Sequence, residues 1–534
     1  MRDFHLPGRS VVLGRHGAAA TSHSLATRTA IDILGRGGNA ADAAIAACAV
    51  QCVVEPGSTG IGGDNFVLYA PTGTGTAEGG KVYGLNGSGR APSGLDADFL
   101  LRQGIKKIAR TSPHAVTIPG AVDSWSKLNK RFGTMPLGEL LRPAIEYAEH
   151  GFPVTERVAF DWRCNTAALQ RDPNAARMWL TGGTAPRYGE VFQQPEHAKV
   201  LREIASKGRD GFYTGWVAED IVDYLRAMGG THTLEDFATQ EALWVDPISS
   251  TYQGIELLEI PPSSAGVVTL LMLNILSGFD LAGYDPVGVE RFHLEAEATR
   301  LAFHARDTFV ADPTFSEVPI RKLLSMGFAD ELRSRIEMTK AMRAPHPVRG
   351  TTDRDTVYLT VVDAEGNACS FINSLFWPYG TALCSAATGV LLHNRGCGFK
   401  VEPGHRNCVE PFKRPLHTII PAMARKDGAP WLSYGVMGGA FQPVGQVHVL
   451  TNILDFGMNV QEALDCARGF HISGRFEAEH GIREEVLVGL RDLGHRVERA
   501  RIPHGGGQAI LMDRDNGVLH AGSDPRKDGC ALAY

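Results

Sequence analysis

Two apolar, β-branched runs, Val357–Val362 and 368–373, flank the polar turn Asp363-Ala364-Glu365-Gly366-Asn367 and predict a β-hairpin. The approach to this hairpin, 338–355, is polar, contains Pro and Gly, and shows no periodicity. Thr356 therefore stands where an irregular segment becomes a strand. Upstream, the pattern predicts a short amphipathic helix over 24–34, ended by Gly37-Gly38. Asn39 then caps Ala40–Val54, a helix so poor in polar positions that it must be buried, and too short to span a bilayer. A strand over 66–69, a helix over Leu137–His150, a capping box at Thr233-Leu234-Glu235-Asp236 and a buried helix over 267–276 follow. The segment 389–394 reads as a further strand.

Two stretches suggest chemistry that their surroundings argue against. The run Gly57-Ser58-Thr59-Gly60-Ile61-Gly62-Gly63-Asp64 is glycine-rich, but it follows a helix and precedes a strand, the reverse of the dinucleotide-binding order. Close backbone packing is the expected use of its glycines. In the helix predicted over 289–307, His293, Glu297 and His304 share nearly one face, as metal ligands can. The expectation is instead a solvent-facing polar stripe, with Arg300 and Arg306 nearby.

Composition narrows the class without naming it. A chain of 534 residues with 43% hydrophobic and 21% charged residues can build a large core. Its formal charge of -6 gives no reason to expect nucleic acid or an anionic membrane as partner. Nine cysteines, an odd number without a Cys-x-x-Cys pair, argue against a disulfide framework or a zinc ribbon. The N-terminus has no apolar signal core and no run reaches about 18 apolar residues, so the expected location is the cytoplasm.

The junction at Thr356 is the candidate for catalysis. A cut between Asp355 and Thr356 would give one residue both a hydroxyl and a free α-amine. That amine, with an ordinary pKa of roughly 7.7–8.0, can act as base for its own hydroxyl. Around it, Thr356, Thr360-Val361-Val362-Asp363 and Gly366-Asn367-Ala368 stand in register with the threonine segment of the γ-glutamyltranspeptidase family, which this chain strongly resembles. The neighbouring pair Thr351-Thr352 has the wrong spacing to Val-Val-Asp. Further family-like motifs run in order: Gly37-Gly38-Asn39-Ala40 through Gly62-Gly63, Gly151-Phe152-Pro153-Val154, Lys413-Arg414-Pro415-Leu416-His417-Thr418, Gly435-Val436-Met437-Gly438-Gly439-Ala440 and Gly522-Ser523-Asp524-Pro525-Arg526.

The resemblance implies an α/β fold, the four-layer αββα sandwich of the N-terminal-nucleophile hydrolases. It implies self-processing into a large subunit, 1–355, and a small subunit, 356–534, one domain cut in two. A dimer of such pairs is one possible assembly. No cofactor and no catalytic metal are implied. By the same resemblance Thr356 is the nucleophile, Ser374 the hydroxyl that hydrogen-bonds it, and Gly438 and Gly439 the source of backbone N–H groups facing the oxyanion.

Departures from the family pattern fall where substrate is recognised. Ser88 stands in register with the arginine that holds a glutamate α-carboxylate, and Arg90 is displaced by two positions. Gly398 replaces the aspartate for the α-amino group, Arg395 a glutamine and Phe376 an asparagine. His417 and Thr418 replace a pair of serines, and the lid loop before Lys413 is shortened. An α-amino acid clamp so altered predicts poor γ-glutamyl recognition. Arg395, with Arg90, His393, Asn394 and His417, could receive a small carboxylate instead.

The motifs look most like the oxamate-amidohydrolase-like branch, so the expected substrate is a small acidic amide. The alternatives are a γ-glutamyl hydrolase or transpeptidase with a rebuilt clamp, a cephalosporin-acylase-like enzyme for a bulkier acyl group, and an uncut pseudoenzyme scaffold.

Overall fold

In the computed structural model the residues described are 5, 8–72, 80–345 and 356–534. Two seven-stranded sheets, antiparallel at every pairing, lie face to face. One runs in the order Val12–Gly14, Val518–Ser523, Gly506–Asp513, Ala429–Met437, Ala422–Lys426, Ile255–Glu259, Ile248–Tyr252. The other runs Cys530–Ala533, Ala18–Thr21, Val357–Val362, Ala368–Ser374, Asp64–Ala70, Tyr83–Gly87, Leu243–Val245. Alternation puts Tyr358, Ile372, Phe66 and Leu68 of the second sheet against Met423, Met437 and Ile510 of the first.

The outer faces carry helices. Ser24–Gly35 and Ala40–Val54 cover the second sheet, with Leu137–His150 packed on Ala40–Val54, and Gly266–Leu276 and Gln442–Leu454 cover the first, with Val289–Phe309 packed on Gly266–Leu276. The result is the αββα sandwich. Each sheet takes strands from both sides of position 356. No helix among the described residues is long and apolar enough to cross a membrane.

Local signals are realised at the hairpin and the helix behind it. The Asn39 side chain accepts from the N–H groups of Ala41 and Asp42, while Asp42 accepts from Asn39 N, a capping box. The Ala40 N–H donates to Asp363 Oδ2 at 2.9 Å, and the same carboxylate gathers the N–H groups of Glu365 and Asn367 in the hairpin turn. Asp363 thus ties the hairpin to the N-terminus of the buried helix, a physical use for the Val-Val-Asp motif.

Two expectations are corrected. The 389–394 segment is not a strand: Gly389 takes a left-handed φ of 65°, and only isolated bridges form, Cys384 with Leu391 and Gly62 with Leu392. The helix Val289–Phe309 is not solvent-facing at His293 and Glu297, which are buried; His304 alone of the three is exposed. Its charges are matched internally, Arg291 with Glu295 at 2.7 Å and Arg300 with Glu297 at 2.8 Å, so it can be enclosed.

Candidate active site

Strand register builds the site. Val357 pairs with Asn373, and Ser374 pairs with Asp64 on the next strand. One step further places Thr356 beside Ser374, so Thr356, Ser374 and Asp64 form a row across three strands at one end of the sheet. They continue the face of Tyr358, Ile372 and Phe66, which looks toward the opposite sheet. Thr356 Oγ1 lies 3.0 Å from Ser374 Oγ, and Ser374 Oγ accepts the Phe376 N–H at 2.9 Å. All three residues of the row are buried.

The opposite sheet is held in step with this row. Thr360 Oγ1 meets Ser433 Oγ at 2.7 Å, and two residues back the Tyr358 ring fills the space a Gly435 side chain would take. Two residues beyond Gly435 comes Met437, and after it a tight turn. There Gly438 and Gly439 both take left-handed φ values, 118° and 58°, and a Cβ on Gly438 would sit 2.8 Å from the Gly505 Cα. Only glycine fits that turn.

Beneath the row, the glycine-rich loop packs backbone on backbone. A Cβ on Gly63 would approach the Ser374 carbonyl oxygen to 2.5 Å, and one on Gly62 the Leu391 carbonyl oxygen to 2.3 Å. Asn373 Nδ2 donates to Thr59 Oγ1 at 2.8 Å, fastening the loop to the strand that carries Ser374.

Asp64 gathers the charged residues. Its Oδ1 accepts the Gly89 N–H at 2.9 Å, and its Oδ2 accepts His417 Nε2–H at 2.9 Å. His393 Nδ1 lies 3.3 Å and Arg395 Nε 3.9 Å from the same oxygen. Burial alone would raise the Asp64 carboxyl, but His393 and His417 hold it well below the usual carboxylate range. Burial, with the Arg395 charge beside it, lowers His417 to about 3. At neutral pH it is therefore a neutral imidazole donating its Nε2 proton. Arg395 NH1 donates to Thr418 Oγ1 at 2.9 Å, and its guanidinium lies 4.0 Å over the Phe376 ring. Phe376 itself has a left-handed φ of 78°, a conformation costing roughly 1–3 kcal/mol in a non-glycine residue. The bond from its N–H to Ser374 helps to hold it.

The structure thus brings Phe376, His393, Arg395, His417 and Thr418 together around the Thr356–Ser374–Asp64 row. It sets Arg90 apart, with its side chain directed to the Thr239 carbonyl at 2.5 Å and across the Phe412 ring. Ser88 lies beside Gly89, and its carbonyl accepts Arg414 Nε–H at 3.2 Å. Asn394 is a brace: its amide donates to the Gly380 carbonyl at 2.7 Å and accepts the Trp377 N–H at 3.2 Å. Asp355, the other half of the expected cleavage site, lies outside the described residues.

Asp64 is the residue that sequence reasoning passed over. It closes the glycine-rich run, and its one signal is that it opens the strand that register places next to Ser374. A separate group could hold a metal ion. His293 Nδ1 and His495 Nε2 are 2.8 Å apart, and with the Glu297 carboxylate their ligand atoms all lie within 4.8 Å of one another. Glu297 already accepts from Arg300 and from the Met342 N–H, and this cluster belongs to the helix layer rather than to the row around Thr356.

Comparison with known proteins agrees along the whole length. The pattern of the family described as Gamma-glutamyltranspeptidase matches residues 26–534. The chain is 37% identical to the glutathione hydrolase-like YwrD proenzyme of Bacillus subtilis, covering 98% of this chain and 99% of that one. It is 34% identical to the oxamate amidohydrolase proenzyme of Klebsiella pneumoniae, covering 97% and 98%. Among solved structures, the cephalosporin acylase from Bacillus halodurans superposes with a TM-score of 0.92 at 37% identity, covering 100% of this chain and 99% of that one.

Proposed function

The chain belongs to the gamma-glutamyltranspeptidase family of enzymes acting on amide C–N bonds, and from that premise we propose that it is a self-processing amide hydrolase with the Thr356 hydroxyl as nucleophile. The observation that carries this reading is the 3.0 Å contact between Thr356 Oγ1 and Ser374 Oγ, buried, at the head of a strand. In the precursor the hydroxyl attacks the Asp355 carbonyl, and water resolves the ester to release residues 1–355 and 356–534. In the mature enzyme the Thr356 amine takes the hydroxyl proton and later returns it to the leaving nitrogen. N–H groups of the glycine turn face the developing oxyanion; losing one such donor costs about 2.7–4 kcal/mol in a serine protease.

The substrate we infer is an amide with a small acidic acyl group. Arg395 and Thr418 would receive its carboxylate, and Asp64, with both oxygens engaged, is not available to grip an α-ammonium group. One observation favours a second reading, an amide with a bulkier acyl group: the Phe376 ring presents apolar surface beside Arg395.

The test begins with the intact mass of freshly purified protein and the N-termini of its pieces. Two fragments meeting at Asp355/Thr356, absent in Thr356→Ala, are expected; a chain that stays whole on long incubation overturns the proposal in favour of a scaffold. A panel of oxamate, a γ-glutamyl anilide and an aromatic N-acyl amide then separates the substrate readings. Fast γ-glutamyl turnover would sink the inference of a lost clamp.

A further inference from the structure

Away from the Thr356 row, the fold brings together three ligand-type side chains that the proposed chemistry does not use. His293 and Glu297 stand one turn apart on Val289–Phe309, and His495 lies in the loop between Glu484–Asp492 and Val497–Arg499. All three are buried. His293 Nδ1 is 2.8 Å from His495 Nε2, and with a Glu297 carboxylate oxygen these ligand atoms lie within 4.8 Å of one another. The other His293 nitrogen, Nε2, meets the Glu337 carbonyl oxygen at 3.0 Å. A carbonyl oxygen only accepts, so Nε2 carries the ring proton and Nδ1 turns a lone pair toward His495. Metal-ligating histidines are oriented in this way, their second N–H held by a carbonyl or a carboxylate. Burial lowers both rings from the ordinary histidine value, His495 to about 3, so at pH 7 both are neutral.

We propose that His293, Glu297 and His495 bind one zinc ion, and that this ion clips together the two pieces of the processed protein. Two imidazoles and a carboxylate suit zinc, whereas calcium and magnesium take oxygen ligands. Zinc–ligand bonds of ~2.0–2.1 Å set ligand atoms about 3.3 Å apart in a tetrahedral site. The two rings therefore part slightly from their present contact, and His495 carries its proton on Nδ1. Glu297 already accepts from Arg300 and from the Met342 N–H, each at 2.8 Å. A carboxylate offers about four acceptor positions, so it can keep both partners and hold the ion. Arg300 offsets the Glu297 charge, so the imidazoles supply most of the binding, and water completes the four positions. Gly494 and Arg496, on either side of His495, are exposed, which gives the ion a short way in.

The clip follows from where the ligands lie in the chain. His293 and Glu297 precede position 356, and His495 follows it. The segment 337–342, which begins the approach to the cleavage point, is drawn to the same cluster through the Glu337 carbonyl and the Met342 N–H. Its Ala341 N–H donates to the Leu493 carbonyl at 2.6 Å, two residues before His495. Zinc here adds a coordinate link between the pieces 1–355 and 356–534. The clip rests on the reading of Thr356 as a self-processing nucleophile; the metal site does not.

The experiment is titration of EDTA-dialysed protein with zinc and with cobalt, for the wild type and the uncut Thr356→Ala, counting ions by native mass spectrometry. One ion per chain is expected in both. Cobalt should give visible d–d bands without a thiolate charge-transfer band, which sets the site apart from binding at any of the nine cysteines. His495→Gln should weaken zinc binding by more than ~100-fold, since even the partners of ligands are worth about 10–100-fold. In the processed protein, zinc should raise the urea concentration at which the two pieces separate on size exclusion, and His495→Gln should abolish that shift. No stoichiometric ion, or a thiolate band, overturns the site on wild-type protein alone. Zinc bound without any shift in separation overturns the clip. A wild-type chain that never cuts itself overturns the function proposed above and the clip with it, while the ion count still decides the metal site.

Discussion

Replacing Asp64 with asparagine should remove a buried carboxylate from beside the Arg395 guanidinium. Arg395 Nε lies 3.9 Å from Asp64 Oδ2, and neither side chain reaches solvent. Unit charges at that separation interact by about 4 kcal/mol at an effective dielectric constant of ~20. Removing one partner of a buried pair typically costs about 3–5 kcal/mol, because the other charge stays behind uncompensated. We therefore expect Asp64→Asn to lower the unfolding free energy by about 3–5 kcal/mol. Arg395→Met should cost less, since Asp64 keeps the Gly89 N–H and His417. In the double variant the two losses should fail to add, with a coupling energy of about 2–3 kcal/mol. The assay is urea unfolding followed by circular dichroism and tryptophan fluorescence. All four proteins carry Thr356→Ala, so that each unfolds as one continuous chain. A coupling energy below about 0.5 kcal/mol, the level expected of independent sites, would refute the reasoning. The Arg395 charge would then be balanced by a group other than Asp64.

Ser374→Ala removes the partner of Thr356 Oγ1 and the acceptor of the Phe376 N–H together. Turnover and self-cleavage should each slow roughly 10–100-fold, from a loss of about 1–3 kcal/mol, while Ser374→Thr stays within several-fold of wild type. Gly63→Ala forces a Cβ to within 2.5 Å of the Ser374 carbonyl, and overpacking of about 1–3 kcal/mol should appear in urea unfolding together with slowed self-cleavage. His197 is buried with neither ring nitrogen hydrogen-bonded, and burial lowers it to about 4. The unfolded chain, titrating near 6.5, binds more protons below that pH, so His197 costs stability as pH falls from 6.5 toward 4. Relative to wild type, His197→Leu should gain about 2 kcal/mol in unfolding free energy between pH 7 and pH 5; parallel pH profiles would sink this account.

Local chemistry was legible wherever it sufficed to build structure. The hairpin could be read from alternation on either side of an Asp/Gly/Asn turn, and the Ala40–Val54 helix from its cap and its lack of polar positions. The packing role of Gly62 and Gly63 followed from their place between a helix and a strand. Asp64 was not legible, because its importance comes from register: it faces Ser374 across two strands far apart in the chain. Arg90 looked equivalent to Arg395 by residue type, but its side chain bonds the carbonyl of Thr239, a partner no local pattern announces. The polar face of Val289–Phe309 misled for a related reason. Charges placed three and four apart can satisfy one another and then be covered by neighbouring elements.

The interleaving of the two sheets bears on how the protein is assembled after translation. Each sheet draws strands from both sides of position 356. A cut there would sever one covalent link between strands whose pairings are already made in the uncut chain. Folding before the cut is a first-order process of one chain. Refolding after it would be second-order, with a rate and a yield that depend on protein concentration. Pieces expressed separately would have to weave both sheets from two solutions of incomplete strands. The intact precursor is thus the template, and the mature pair would keep a geometry that its two chains are poorly equipped to find by collision.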